Sequence, residues 1–251
     1  MLAEGALAGL DWVGVVVASG MVAVAALVQG TVGLGFGIVL VPGLALLAPA
    51  SLPATPLLLT VALTALTAHR EWDGIDREGF AQLITGRVFG TVGAVGVLLV
   101  LTEAALEVLF GAVILGVVLL NVVSPRIPVT AGTRLVAGTA SGLFATTAAV
   151  GGPPVALLYQ HRPGGELRGT LAALFFVGAL LSLVGLVPAG RLDWSHAVLA
   201  AILLPAMLLG FAASRPLRPW LDRGWLRPGV LAFAALAGIL AIVRGVLGAG
   251  A

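Results

Sequence analysis

The chain has 251 residues, of which 60% are hydrophobic and only 10% are charged, whereas about a quarter of the residues in an ordinary soluble domain are charged. This composition excludes a soluble globular protein and predicts a membrane protein. There is no cysteine, and all 13 basic residues are arginine, which excludes disulfides, thiolate metal sites and lysine-based cofactor chemistry. The formal net charge is only +2, and the arginines are spread over short loops, so we predict no nucleic-acid surface.

Long apolar stretches dominate the sequence. Residues 12–68 and 135–160 contain no Asp, Glu, Arg or His, and such stretches belong in the hydrocarbon of a bilayer or in a protein core within it. The N-terminus carries Glu4 and Asp11 but no basic side chain, unlike a secretory signal peptide, so we expect the first span to be retained. In chain order, the predicted apolar segments are 12–29, 32–48, 54–68, 80–101, 104–123, 134–148, 150–160, 169–187, 195–213 and 229–248.

Segments 134–148 and 150–160 are short for full membrane spans, at 15 and 11 residues. At 1.5 Å per residue, neither can cross a hydrocarbon core of about 30 Å. We predict that they are the half-helices of a re-entrant hairpin, which enters the membrane and returns. The predicted fold is therefore an all-α, polytopic membrane protein with about 8–10 membrane segments.

The two halves of the chain resemble each other at fixed offsets, which is the sequence signature of an internal repeat. We predict two membrane repeats, residues 1–123 and 124–251. The matching positions are Gly30 with Gly142, Val41 with Pro153 and Pro42 with Pro154 at an offset of 112 residues, and Asp76 with Asp193 and Gly93 with Gly210 at an offset of 117 residues.

The arginines predict how the two halves are oriented. Because basic loops stay in the cytoplasm, we expect the four arginine-bearing connections to be cytoplasmic. This placement requires five segments in each half, so that the second half is inverted relative to the first and both termini are outside. Arg191 is the exception to the rule, because it then lies on an outside loop. Inverted repeats are typical of secondary transporters, whose site lies between the halves near the bilayer midplane. The four connections carry Arg70, Arg77 and Arg87; Arg126 and Arg134; Arg162 and Arg168; and Arg215, Arg218, Arg223 and Arg227.

Two motifs depart furthest from a plain apolar helix: QGTVGLGFGIVLVPGLALLAP at 29–49 and ASGLFATTAAVGGPPVALLY at 140–159. The alternating glycines of the first and the GGPP of the second interrupt a helix. In hydrocarbon, opened backbone is tolerated only where it is buried in protein or lines a wet cavity. We predict that a new helix starts after each interruption, and that its free N–H groups and positive dipole end attract an anion.

The polar side chains of the two motifs are neutral hydrogen-bond donors. A site for Na⁺ or another metal would more often contain Asp, Glu or His at this depth. Neutral donors together with helix N-termini favour a small oxyanion, so we predict no metal site. The donors are Gln29, Thr31, Ser141, Thr146 and Thr147.

Other readings of these residues stay open. Small residues spaced about four apart are also the commonest means of close helix packing in membranes. Arg87 lies eight residues into its predicted segment, and we expect it to reach lipid phosphate rather than substrate. The histidines at positions 69, 161 and 196 lie at loop edges, and we expect them to be interface residues rather than proton carriers. Tyr159 and Gln160 follow the second motif and are expected at its cytoplasmic mouth.

QGTVGLGFG followed by VP, and ASG followed by GGPP and a tyrosine, resemble the paired motifs of the sulfite exporter TauE/SafE family, also called the toluene sulfonate uptake permeases. The resemblance extends from Val22 to Leu247. It implies a bacterial or archaeal inner-membrane carrier for sulfur-containing anions such as sulfite, thiosulfate, sulfoacetate or organosulfonates. It places motif positions at Gln29, Gly30, Gly33, Gly35, Gly37 and Pro42, and at Ser141, Gly142, Gly151, Gly152, Pro153 and Pro154. The second motif departs from a glycine-rich form at Ala145 and Ala149.

Two other classes of function were weighed against a carrier. A membrane-embedded enzyme, such as a lipid or isoprenoid transferase, needs clustered acids, bases or metal ligands at one membrane face. The acidic group Glu71, Asp73, Asp76 and Glu78 could hold Mg²⁺, although we expect a solvated loop there. A channel or a non-transporting assembly subunit is the third class.

We therefore predict a secondary carrier rather than an enzyme, embedded in the lipid bilayer, with no catalytic residue and no cofactor. The anion binds between the two motifs, and one half rocks or gates against the other to expose the site alternately. Proton coupling and the oligomeric state stay open.

Overall fold

The computed structural model describes residues 10–123, 127–221 and 226–248, and all regular structure in these ranges is helical. Short 3₁₀ turns at Pro49–Ser51 and Trp72–Gly74 separate some of the longer helices. Within the described ranges, the α-helices are α1 (Trp12–Val32), α2 (Phe36–Leu47), α3 (Ala54–Arg70), α4 (Arg77–Val100), α5 (Glu103–Val123), α6 (Ala131–Ala148), α7 (Gly152–Tyr159), α8 (Gly164–Leu186), α9 (Trp194–Leu221) and α10 (Leu226–Gly248).

The predicted fold class is confirmed. Helices α1, α4, α5, α8 and α9 contain windows long and apolar enough to cross a membrane, so the protein is a multi-pass membrane protein. Helix α7 has 8 residues, which agrees with the short segment predicted at 150–160. The charged connection predicted after residue 213 is in part helical, because α9 continues to Leu221. Arg126 and Arg223, two of the arginines used to orient the chain, lie outside the described residues.

Local side-chain chemistry explains where several helices begin. The carboxylate of Asp11 accepts the Gly14 N–H at 2.7 Å at the start of α1, and Asp76 accepts the Gly79 N–H at 2.9 Å at the start of α4. Each bond satisfies an N–H group that has no acceptor inside the helix. Helix α6 starts before the predicted residue 134 because Thr130 and Thr133 form a capping box.

The two predicted interruptions are present. The first break, residues 33–35, separates α1 from α2 and contains Gly33 at φ 91° and Gly35 at φ 122°, values in the left-handed region that favours glycine. The second break, residues 149–151, separates α6 from α7 and places Ala149 at φ 54°. A residue with a Cβ rarely adopts this conformation, so the second break is held by its surroundings.

The main helix pairs follow a symmetric pattern, and the division into two repeats stays a prediction. Helix α1 packs against α9, α4 against α6, α3 against α8, and α5 against α10. Exchanging α1–α5 with α6–α10 leaves this set of pairs unchanged, as two structurally equivalent repeats require. Inversion of one half relative to the other stays a prediction.

The contact between α4 and α6, here called the glycine seam, is built from Gly86 and Gly90 on α4 and Gly138 and Gly142 on α6. A Cβ at any of the four would overlap backbone atoms of the facing helix, for example the Leu135 carbonyl oxygen at Gly86. Small residues four apart allow membrane helices to approach this closely. The alternative reading of the glycines as packing residues therefore applies to Gly142.

We expect Gly90→Ala to destabilise the protein and Gly93→Ala to leave its stability unchanged or raise it. The new methyl group at Gly90 would overlap Thr139 backbone, whereas no atom lies within 4 Å of a Cβ at Gly93 on the same helix. Overpacking costs about 1–3 kcal/mol, while Gly→Ala in a helix otherwise gains about 0.5–1 kcal/mol. Thermal unfolding of both purified variants in one detergent measures the difference. Equal melting temperatures would contradict the glycine seam.

Candidate functional site

The two breaks lie against each other. A Cβ at Gly37, in the first turn of α2, would overlap the carbonyl oxygen of Ala149 in the second break. Between the breaks is a cavity with about 40 Å³ of space for the centres of water-sized molecules, and its wall is completed by α3, α4 and α8. The structure thus brings together the two motifs that the sequence analysis singled out.

Part of the predicted site lines this cavity: Gln29, Gly35, Gly37, Gly151, Gly152 and Pro153. Gln29 is buried and joins the two sides of the first break. Its Nε2 donates to the Gly33 carbonyl at 3.0 Å, and its Oε1 accepts the Phe36 N–H at 3.1 Å. One amide N–H of Gln29 is then left for a ligand.

The other predicted residues do not line the cavity. Three hydroxyls are engaged within the bundle: Thr31 donates to carbonyl oxygens of its own helix, Thr147 donates to the Leu143 carbonyl at 2.7 Å, and Thr146 bonds Ser182 at 2.7 Å. A hydroxyl has one proton to donate, so these groups stabilise helices. The predicted site residues that do not line the cavity are Gly30, Thr31, Gly33, Pro42, Ser141, Gly142, Thr146, Thr147 and Pro154.

The glycines in this outer set fill close contacts. A Cβ at Gly30 would overlap the Ser214 side chain of α9, and one at Gly33 would overlap the Arg168 side chain of α8. Pro42 lies inside α2. These positions hold the break in place without facing the cavity.

Arg87 is the side chain that the sequence analysis misplaced. We expected it to reach lipid, but it is 1% exposed and lines the cavity. Its Nη1 donates to the Ser141 hydroxyl at 2.7 Å and to the Ser141 carbonyl at 3.2 Å. The space that its guanidinium occupies exists because Gly151 and Gly178 have no Cβ.

Arg87 has no counter-charge in the described part of the chain. No carboxylate there forms an ion pair with it, and its buried Nε has no hydrogen-bond acceptor. A buried, unpaired charge in a membrane protein is costly and marks a functional position. The sequence signal was present, since Arg87 is the one charged residue between Glu78 and Glu103.

The helix N-termini offer fewer donors than the sequence analysis predicted. Pro153 and Pro154 follow Gly152 at the start of α7, and proline has no N–H. At the start of α2, the Phe36 N–H is already bound by Gln29. Arg87 therefore carries most of the positive charge at the cavity, and the helix dipoles add partial charge.

Two of the four acidic residues considered as a magnesium site, Glu71 and Asp76, form ion pairs. Glu71 pairs with Arg168 at 3.1 Å. Asp76 accepts bonds from Arg134 at 2.8 Å and from the Tyr159 hydroxyl at 2.6 Å, and Tyr159 is fully buried. Across the described residues, no three His, Asp or Glu side chains are grouped so as to hold a metal ion.

These partners lower the pKa of Asp76. Burial alone would raise the pKa of this carboxyl, but the hydrogen bonds from Tyr159 and Gly79 and the charge of Arg134 hold it below the usual 3.8. Because the pKa of Asp76 is lower in the folded than in the unfolded state, the ionised carboxylate stabilises the folded state at pH values above 3.8. This stabilisation is lost as the pH falls through the lowered pKa.

We expect Tyr159→Phe to raise the pKa of Asp76 toward its usual value, so that the variant is less stable than the parent at neutral pH but loses less stability on acidification. The substitution removes one hydrogen bond to the carboxylate and leaves the ring in place. Melting temperatures of the parent and the variant between about pH 3 and pH 6 measure the shift. An unchanged pH dependence would contradict the role assigned to the Tyr159 hydroxyl.

His196 forms a contact at the start of α9 that the sequence analysis missed. Its Nδ1 accepts the Asp193 N–H at 3.1 Å, and its Nε2 lies 3.0 Å from the Ala50 carbonyl oxygen. Because a carbonyl oxygen can only accept, Nε2 is the donor in the second contact. His196 therefore fastens α9 to the turn that follows α2.

Comparison with known proteins identifies the family. No curated protein and no solved structure matches the chain. A family model described as "Sulfite exporter TauE/SafE" matches residues 18–241, most of the chain. The family is one of membrane transporters rather than enzymes, and it indicates transport of sulfur-containing anions. The protein belongs to the sulfite exporter TauE/SafE family.

Proposed function

We propose that the protein is a secondary carrier of a small sulfur-containing anion, such as sulfite, thiosulfate, sulfoacetate or an organosulfonate. It acts in the inner membrane of a bacterial or archaeal cell. The anion binds in the cavity between the two breaks, and alternating access exposes that cavity to one side of the membrane and then to the other. Family membership supports the class of substrate.

One observation carries this proposal: Arg87 is buried at the cavity and has no carboxylate partner among the described residues. Keeping an unpaired guanidinium away from water costs several kcal/mol. An anion that binds beside it would supply the missing charge and an acceptor for its Nε. The site residues proposed are those that line the cavity, namely Arg87, Gln29, Gly35, Gly37, Gly151, Gly152 and Pro153.

Contacts at two ends of the bundle support a gated carrier. Glu71, after α3, pairs with Arg168 of α8, and His196 of α9 contacts Ala50, after α2. Each contact joins a residue of 1–123 to a residue of 124–251. In alternating access, one of these contacts opens while the other holds.

Uptake into proteoliposomes tests the proposal. We expect the purified protein to accelerate uptake of at least one radiolabelled anion from a panel of sulfite, thiosulfate, sulfoacetate and ethanesulfonate. Parallel runs with and without an imposed pH gradient measure proton coupling. Gly93→Ala is a matched positive control, and liposomes without protein are the blank. Uptake of none of these anions above the blank would refute the carrier proposal.

A further inference from the structure

The formal charge facing the cavity is carried by one side chain. Among the described residues that line the cavity, Arg87 is charged and none is Asp, Glu or His. Ser141, Gly151 and Gly178 pack against its guanidinium, and none of these residues is titratable. A bound anion therefore meets one full positive charge and no group that exchanges a proton with it.

Side-chain hydrogen-bond donors at the cavity are also few, although the Gly37 and Ile38 N–H groups in the first turn of α2 are free of intrahelical acceptors. The hydroxyls of Thr60 and Thr64 line it, but they donate to the carbonyl oxygens of Pro56 at 2.7 Å and Thr60 at 2.6 Å. Gln29 has one amide N–H to spare. Most of the remaining wall is aliphatic or aromatic, formed by Phe36, Ile38, Leu57, Leu63, Val150 and Phe175.

The attraction of an anion to Arg87 and the energy that the anion loses on leaving water depend differently on its charge, and this difference separates monovalent from divalent anions. Doubling the charge of an anion doubles its attraction to Arg87, but it quadruples the Born energy lost on leaving water. The helix N-termini add only partial charge, and that effect is confined to the first turn. A second negative charge in this cavity would remain largely uncompensated, so desolvating it would weaken binding.

We propose that the cavity selects singly charged anions over divalent oxyanions, with an apolar group or a proton in place of the second charge. The inference rests on the proposed function and narrows its substrate class, because it disfavours thiosulfate and sulfoacetate, which carry two negative charges at neutral pH. Sulfite would be bound as hydrogen sulfite. A proton that crosses with sulfite would then travel on the substrate, since no lining residue in the described chain can carry it.

Calorimetric titration of the purified protein with ethanesulfonate, sulfate, thiosulfate and sulfite, at about pH 6 and about pH 8, tests this selectivity. We expect ethanesulfonate to bind equally at both pH values, and sulfate and thiosulfate to bind at least about tenfold more weakly. Sulfite should bind more weakly at the higher pH, where less of it carries a proton. Arg87→Lys keeps the charge and should keep the preference, whereas Arg87→Gln should lose binding of ethanesulfonate.

The outcomes separate this inference from the function on which it rests. Sulfate or thiosulfate binding as tightly as ethanesulfonate would overturn the charge selectivity and leave a carrier of sulfur anions standing. Retention of the preference in Arg87→Gln would overturn the role given to Arg87. If none of the four anions binds and none is transported, the function and the inference fail together.

Discussion

Arg87→Met is expected to abolish anion uptake while leaving the thermal stability of the protein unchanged or higher. The substitution removes a buried charge without a carboxylate partner and fills much of the same space, so the folded state no longer bears the cost of desolvating a guanidinium. The anion loses a charge-assisted hydrogen bond worth about 1.5–3 kcal/mol, which corresponds to an affinity loss of about tenfold to 150-fold.

Arg244→Met is the matched control, because Arg244 is exposed on α10 and does not line the cavity. It undergoes the same chemical change and should retain uptake. Melting temperatures with and without anion complete the test, since a bound ligand stabilises the folded state. The anion should raise the melting temperature of the parent and of Arg244→Met but not of Arg87→Met. An Arg87→Met variant that transports normally would move the site away from α4.

Gln29→Glu should eliminate anion binding at neutral pH and regain part of it in acid. The new carboxylate can still accept the Phe36 N–H, as Oε1 of Gln29 does, but it adds a negative charge to the cavity that contains Arg87. This charge repels the substrate and competes for the guanidinium. Apolar surroundings raise the pKa of a carboxyl group, so protonation at low pH should relieve the repulsion.

Gln29→Met separates charge from the loss of hydrogen bonds. Methionine leaves the Gly33 carbonyl and the Phe36 N–H without their side-chain partners, at a cost of about 1–3 kcal/mol for each buried group. The Met variant should therefore melt at a lower temperature, and acid should not restore its binding. Titration of both variants across pH, together with melting curves, distinguishes the two effects. A Glu variant that binds anion as tightly as the parent at neutral pH would exclude the first break from the site.

The membrane segments and their interruptions were predictable because each depends on local sequence. Apolar length locates a membrane helix, and the glycines of the first break adopt backbone angles that other residues rarely adopt. The apolar segment predicted at 134–148 starts later than α6, because the capping box of Thr130 and Thr133 starts the helix at Ala131. Arg134 indicates where the hydrocarbon region begins, whereas the capping box of Thr130 and Thr133 determines where the helix begins.

The position of Arg87 could not be predicted from α4 alone. Glycines occur at 86, 90, 93 and 96 of this helix, and two of its faces could have formed the close contact with another helix. The structure uses Gly86 and Gly90 and leaves Gly93 and Gly96 open. That choice sets the rotation of α4 and turns Arg87 toward Ser141 rather than toward lipid. Rotation about a helix axis depends on the partner helix, which periodicity does not identify.

The glycine seam also bears on which parts of the protein can move as bodies. It fastens α4, from the first half of the sequence, to α6 from the second, and the pairing of α1 with α9 crosses the halves in the same way. Backbones in direct contact cannot slide past one another without first separating. The halves are thus interlaced, as in a domain-swapped dimer fused into one chain. If the protein works by the proposed alternating access, we expect each moving body to contain helices from both 1–123 and 124–251, so that the boundary between the two predicted repeats is not the boundary between the moving parts.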